Sequence, residues 1–197
     1  MSKLSCKVLF NIFKGLSNEP VEELAVLLLY QRYTCLGRVA VAKKLGISER
    51  RARSLIDKLN KKGYLAKDLE TCINTRSFPY NLSYCSTKFN NYYLTAFLEA
   101  NLELLKLVER SITMLRDYIV LASRDPEVLE IVGYTSEGRI YLPRVPRRMR
   151  EKYARKIDKL IPQILSTPSL FIVWRSYKPY LSEACLLYSL YRLCTSF

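Results

Sequence analysis

The chain has 197 residues, 49% of them hydrophobic and 25% charged. That is enough apolar material for one packed domain or two small ones, and it excludes a polypeptide disordered throughout. A formal charge of +14 favours an acidic partner, with nucleic acid first and an anionic membrane surface second.

The apolar runs are too short and interrupted to cross a bilayer, and the run at residues 8–10 ends at Asn11 and Lys14 with no small-residue cleavage site after it. This predicts a cytoplasmic protein with no membrane partner. Histidine is absent, none of the six cysteines stands in C-x-x-C spacing, and no glycine-rich phosphate loop or nucleophile elbow occurs. The expectation is therefore no metal, no cofactor and no enzymatic activity. In a reducing cytosol the cysteines are expected to be buried thiols, with a Cys72–Cys85 bridge across a hairpin as the alternative.

Residues 4–16 carry Leu4, Val8, Leu9, Ile12, Phe13 and Leu16 at helical spacing. Pro20, followed by Glu22 and Glu23, opens a second helix that runs to about residue 33. A short helix over 38–45 packs through Val39, Ala42 and Leu45, and Gly46 closes it as a left-handed cap. Ile47 is the buried turn residue. Ser48 is a good N-cap, because its hydroxyl can accept an orphan N–H of the next helix, residues 49–62. Gly63 then leads into a strand over 64–70. This order is that of a winged helix-turn-helix, with 48–63 as the recognition segment.

At about 100° per residue, Ala52, Leu55, Ile56 and Leu59 share the packed side of that helix. Arg50, Ser54, Asp57 and Lys61 lie opposite, flanked by Arg51, Arg53 and Lys58. Residues 38–62 hold nine Lys/Arg against two acids. An arginine fork matches guanine O6/N7 or a phosphate, so the candidate DNA contacts are Arg38, Lys43, Ser48, Arg50, Arg51, Arg53, Ser54 and Lys58. Arg76 and Lys88 are assigned to the wing, on phosphates.

The wing tip and return strand are expected within 71–91, the return strand near 81–85. A connector helix is expected from 92 to about 108, with the DNA-binding domain over 1–93 and a second domain over 94–197. In the second half the pattern reads as a helix over 112–123, stopped by Pro126, then strands over 128–134 and 139–142. A helix over 146–165, a strand over 170–174 and a helix over 181–193 follow. This is a small α/β or α+β domain, and α+β for the chain as a whole. Residues 139–159 hold nine Lys/Arg against two acids, with Arg148, Lys152, Arg155 and Lys159 off the apolar face. They read as a phosphate-contacting surface, an anion pocket or a solvated helix face. Arg116, Asp117, Arg139 and Arg148 are the candidate anion or ligand site.

Leu36-Gly37-Arg38 and Lys44-Leu45-Gly46-Ile47-Ser48-Glu49, with Leu115-Arg116-Asp117 and Gly138-Arg139-Ile140-Tyr141-Leu142-Pro143, resemble a group of archaeal two-domain winged-helix proteins. In these an uncharacterised, effector-like domain follows the DNA-binding module. The resemblance spans nearly the whole chain. It departs after Asp117, where the group is Gly/Ala-rich and this chain reads Ile119-Val120-Leu121-Ala122-Ser123-Arg124.

The function expected from these readings is a transcriptional regulator that binds double-stranded DNA, with an unknown small molecule as effector. A winged-helix module for protein or RNA, or an anion-binding enzyme in the second half, is the alternative. A homodimer is expected, because two half-sites require two recognition helices. Its seam is expected on the connector helix (Phe97, Leu98, Leu102, Leu105) or the final helix (Leu186, Leu187, Leu190, Leu193).

Overall fold

The structure is a computed structural model that describes residues 3–17, 20–33, 35–67, 73–75 and 82–197. Its class is α+β. The chain divides into two compact units, one of Asn11–Pro79 with Lys178–Tyr188, the other of Met1–Phe10, Tyr80–Tyr177 and Ser189–Phe197. Helix α1 (Cys6–Phe13) and the last helix of the chain each contribute to both.

In the first of these units, α2 (Pro20–Arg32) is the central helix. Every residue from Glu23 to Tyr30 is buried, so it is apolar nearly all round rather than on one stripe. Helix α3 (Arg38–Leu45) packs through Val41, Ala42 and Leu45. Helix α4 (Glu49–Lys61) packs through Ala52, Leu55, Ile56 and Leu59. A hairpin follows, in which β1 (Leu65–Lys67) pairs antiparallel with β2 (Ile73–Thr75), Leu65 opposite Thr75.

The second unit is built on a five-stranded sheet in the order β3-β4-β7-β5-β6, with every neighbouring pair antiparallel. The strands are β3 (Tyr84–Phe89), β4 (Tyr92–Phe97), β5 (Leu129–Ser136), β6 (Arg139–Tyr141) and β7 (Ser169–Trp174). All six residues of β7 are buried, as a central strand covered on both faces requires. Glu137 and Gly138 join β5 to β6 with both central φ angles positive, the type I′ hairpin pattern that suits the strand twist.

Helices α5 (Leu102–Arg110), α6 (Ile112–Ser123), α7 (Arg147–Leu160) and α8 (Leu181–Thr195) complete the chain, with a 3-10 turn at Pro162–Leu165. On one sheet face Leu94, Ala96, Ile131, Phe171 and Val173 form a cluster with Ile157 of α7 and Ile164 of the turn. On the other face Glu109 of α5 is hydrogen-bonded to Tyr134, whose phenol burial holds well above its ordinary pKa. There too the indole N–H of Trp174 donates to Thr95 Oγ1 at 3.1 Å.

Several expectations are corrected here. Residues 92–97 are not the start of a connector helix: they pair with β3 on one side and β7 on the other, which overrides their helical apolar spacing. The helix begins at Leu102, after Glu99 at positive φ and Asn101, whose side chain accepts the Glu103 N–H at 2.6 Å. The return strand of the hairpin is Ile73–Thr75, so Lys88, on β3, belongs to the five-stranded sheet and not to a wing. Of the residues expected on a dimer seam, Phe97, Leu105, Leu186, Leu187, Leu190 and Leu193 are buried within one chain and are not available for one, whereas Leu98 is half-buried and Leu102 exposed. Cys6 and Cys194, 188 residues apart, form a disulfide with Cα atoms 5.7 Å apart, and Cys35 is disulfide-bonded too. Cys85 and Cys185 are thiols, which removes the hairpin bridge to Cys85.

Candidate nucleic-acid interface

The connection from α3 to α4 is fixed by local chemistry. Gly46 sits at φ 66°, ψ 33°, a conformation that costs an L side chain about 1–2 kcal/mol. Its N–H and that of Ile47 both donate to the Ala42 carbonyl, which closes α3. Ser48 then turns the chain in extended geometry, and its Oγ accepts the Arg51 N–H at 3.2 Å. These two caps set the direction in which α4 leaves α3.

Burial of Ala52, Leu55, Ile56 and Leu59 turns the opposite side of α4 outward, where Arg50, Arg53, Ser54, Asp57 and Lys61 are exposed. Arg38 and Lys43 of α3 are exposed as well. Among the described residues, Arg38, Lys43, Arg50 and Arg53 form no ion pair. Lys44 sits 4.1 Å from the centre of the Tyr33 ring.

The remaining cations of α4, Arg51 and Lys58, point back to α2, as does Lys62 just after the helix. Arg51 Nε meets Glu22 Oε2 at 2.6 Å. Lys58 Nζ meets Glu23 Oε1 at 2.9 Å, and Lys62 Nζ meets Glu23 Oε2 at 2.9 Å. Glu23 also accepts from Ser17, whose hydroxyl in turn lies 2.6 Å from Lys58 Nζ. Burial alone pushes the Glu23 carboxyl up, but the hydrogen bonds from Ser17, Lys58 and Lys62 outweigh it and hold the pKa down at about 2. Arg51 and Lys58, both expected on DNA, are thus committed to internal pairs that clamp α4 onto α2. The sequence signal for this is Glu22-Glu23, which along the chain reads only as an acidic first turn of α2.

Of the other expected contacts, Ser48 spends its oxygen on the cap, Lys88 is exposed on β3, and Arg76 lies outside the described residues. The anion-site candidates come from three different elements. Arg116 and Asp117 are on α6, and Arg148 is in the first turn of α7. Arg139 is exposed at the start of β6, and no hydrogen bond or ion pair joins any two of the four among the described residues. Nor do the described residues contain a group of His, Cys, Asp and Glu able to hold a metal ion.

No protein-family model matches the chain, and no curated protein matches it. Among solved structures the fold is similar to that of a hypothetical protein from Pyrococcus horikoshii OT3, with a TM-score of 0.53 and 14% identity over 89% of this chain and 93% of that one. At that identity the likeness is one of fold.

Proposed function

We propose that α2, α3, α4 and the β1–β2 hairpin form a winged helix-turn-helix, and that the protein is a non-enzymatic transcriptional regulator that binds duplex DNA through α4. One observation carries the reading: the cations of α4 are sorted. Arg51 and Lys58 of α4, with Lys62 just after it, pair with Glu22 and Glu23, whereas Arg50 and Arg53 in the N-terminal half, and Lys61 at the C-terminal end, project with no ion pair among the described residues. The N-terminal half of a recognition helix is the part that enters a major groove, and arginine is the side chain best matched to guanine there. Two half-sites need two copies of α4, so the reading includes a homodimer with its seam elsewhere than on the buried leucines of α8.

No helix among the described residues is long and apolar enough to cross a membrane. We place the protein in the cytoplasm. Persistent disulfides inside cells are characteristic of hyperthermophiles, so this placement carries with it a hyperthermophilic source, which is part of the proposal.

The test is selection of bound genomic fragments, then titration of the selected duplex with Arg50→Ala and Arg53→Ala. Each is expected to weaken specific binding by about 1–3 kcal/mol. Affinities equal to that of the wild type refute the reading. A free mass near 23 kDa together with a single chain on a duplex that carries both half-sites refutes the dimer.

A further inference from the structure

Helix α7 carries seven Lys/Arg against two acids in the sequence RRMREKYARKIDKL. Its apolar side is already used: Ile157 is buried, and Met149, Tyr153, Ala154 and Leu160 pack against the cluster on the sheet. Arg148, Lys152, Arg155 and Lys159 recur at intervals of four, three and four residues, all exposed. They make one stripe about 16 Å long at 1.5 Å per residue. Arg144 and Arg147 extend it, and both are exposed.

Little inside the protein uses this charge. Among the described residues the stripe's one ion pair is Arg155 with Glu151 at 3.3 Å, with both side chains about four-fifths exposed (79% and 84%). Two neighbouring cations do have structural work. Arg150 donates to the Val145 carbonyl at 2.8 Å, and Lys156 reaches Asn90. The placement of the stripe also works against the helix itself. The first turn holds arginines and no acid, and Pro146 provides no side-chain cap, so positive charge is crowded at the positive end of the helix dipole. A helix face shaped for stability alone carries the opposite arrangement.

We infer that the α7 stripe is a second nucleic-acid surface, one that grips the phosphate backbone of duplex DNA without reading bases. The inference rests on the reading of the chain as a duplex-DNA binder and adds a contact in the other unit. A membrane surface fits less well. An interfacial helix keeps large apolar side chains for the bilayer, and here the apolar side is buried against the sheet, with no strongly exposed large hydrophobic residue between Arg144 and Leu160.

The experiment compares the full-length wild type with two variants, Arg148→Gln/Lys152→Gln/Arg155→Gln/Lys159→Gln on α7 and Arg50→Ala/Arg53→Ala on α4. Each is titrated against a selected duplex and a random duplex over a range of salt. The α7 variant should lower the slope of log K against log salt by roughly 3–4 on both duplexes, about 0.9 for each phosphate that is no longer neutralised. The α4 variant should lose preference for the selected duplex. All four α7 positions are exposed, so an unchanged melting temperature checks the fold, and Arg148→Lys/Arg155→Lys, which keeps the charge, should keep the slope. An α7 variant with wild-type slope and affinity overturns this inference and leaves the α4 reading standing. Full site preference in the α4 variant alongside a lowered slope in the α7 variant overturns the α4 reading and supports this one. Absence of duplex binding by the wild type overturns both. Binding to single-stranded RNA, or to vesicles of phosphatidylserine and phosphatidylcholine, that disappears in the α7 variant while duplex binding is unchanged also overturns it.

Discussion

The carboxylate of Glu23, a wholly buried side chain on α2, meets Lys58 Nζ of α4 at 2.9 Å. Lys62 and Ser17 complete its contacts, so the acid ties the C-terminal half of α4 to the helix behind it. Because the folded pKa lies at about 2, below the ordinary value near 4.5, this group's contribution is fully present above the unfolded-state value. It is lost as pH falls from about 4.5 toward 2. Glu23→Gln should cost roughly 3 kcal/mol at neutral pH and flatten the acid limb of the stability curve in that window. Urea unfolding followed between pH 2 and 7 measures both. Equal pH dependence in variant and wild type counts against the clamp.

Arg50 and Arg51 are adjacent on α4 but face different partners, solvent and Glu22 respectively. Arg51→Ala should cost about 0.2–1 kcal/mol of stability, the range of a half-exposed ion pair, and leave the choice among DNA sequences unchanged. Arg50→Ala should do the reverse, with stability intact and specific affinity reduced. Parallel melting and binding titrations of the two variants decide it. A swap of the two phenotypes would show that α4 is rotated from the orientation described.

Gly133 lies inside β5 under the ring of Phe171 on β7, directly across from it. A Cβ here would run into that ring and come within 2.9 Å of the Tyr141 carbonyl oxygen. The ring is fully buried and the carbonyl is backbone, so neither yields readily. Gly133→Ala should cost about 1–3 kcal/mol by overpacking, against the usual gain when alanine replaces a strand glycine. A rise in melting temperature would contradict this.

The parts of the fold legible in the sequence are those set by neighbours along the chain. Gly46 and Ser48 announce their caps through residue type, and the four apolar positions of α4 follow from helical period. Helix α6 is likewise bounded by its own pattern, Ile112–Ser123. What failed depended on distant partners. Tyr92–Phe97 becomes a strand because β3 and β7 flank it, and β7 lies more than seventy residues downstream. The hairpin partner of β1 is only three residues long, too short to show a period of two. At the candidate site, Arg50 and Arg53 are legible from the helix face, but the diversion of Arg51 and Lys58 is not, since Glu22 and Glu23 come from another helix.

The disulfide between Cys6 and Cys194 divides the thiols into two chemical classes. It joins α1 to α8 across 188 residues of sequence, so in the chain-entropy account it removes much of the freedom of the unfolded state. Cys185 is buried, and that burial pushes its thiol up to about 12, with the Glu183 charge adding to it. Burial raises the Cys85 thiol as well, although a backbone hydrogen bond at Ala96 opposes it. Only the thiolate is nucleophilic, so neither thiol should react quickly with iodoacetamide in the folded protein at neutral pH. Reduction should open both the Cys6–Cys194 bridge and the disulfide at Cys35, lower stability by at least the roughly 2–5 kcal/mol of one bridge, and leave Cys185 slow to label until the chain unfolds. Cys6→Ser should reproduce, without reductant, the part of the loss that belongs to the Cys6–Cys194 bridge, about 2–5 kcal/mol. The measurement is mass spectrometry of alkylated peptides with and without dithiothreitol, alongside thermal melting. Rapid alkylation of Cys185 in the unreduced protein would contradict its burial, and a melting temperature indifferent to Cys6→Ser would show that this bridge does not constrain the chain.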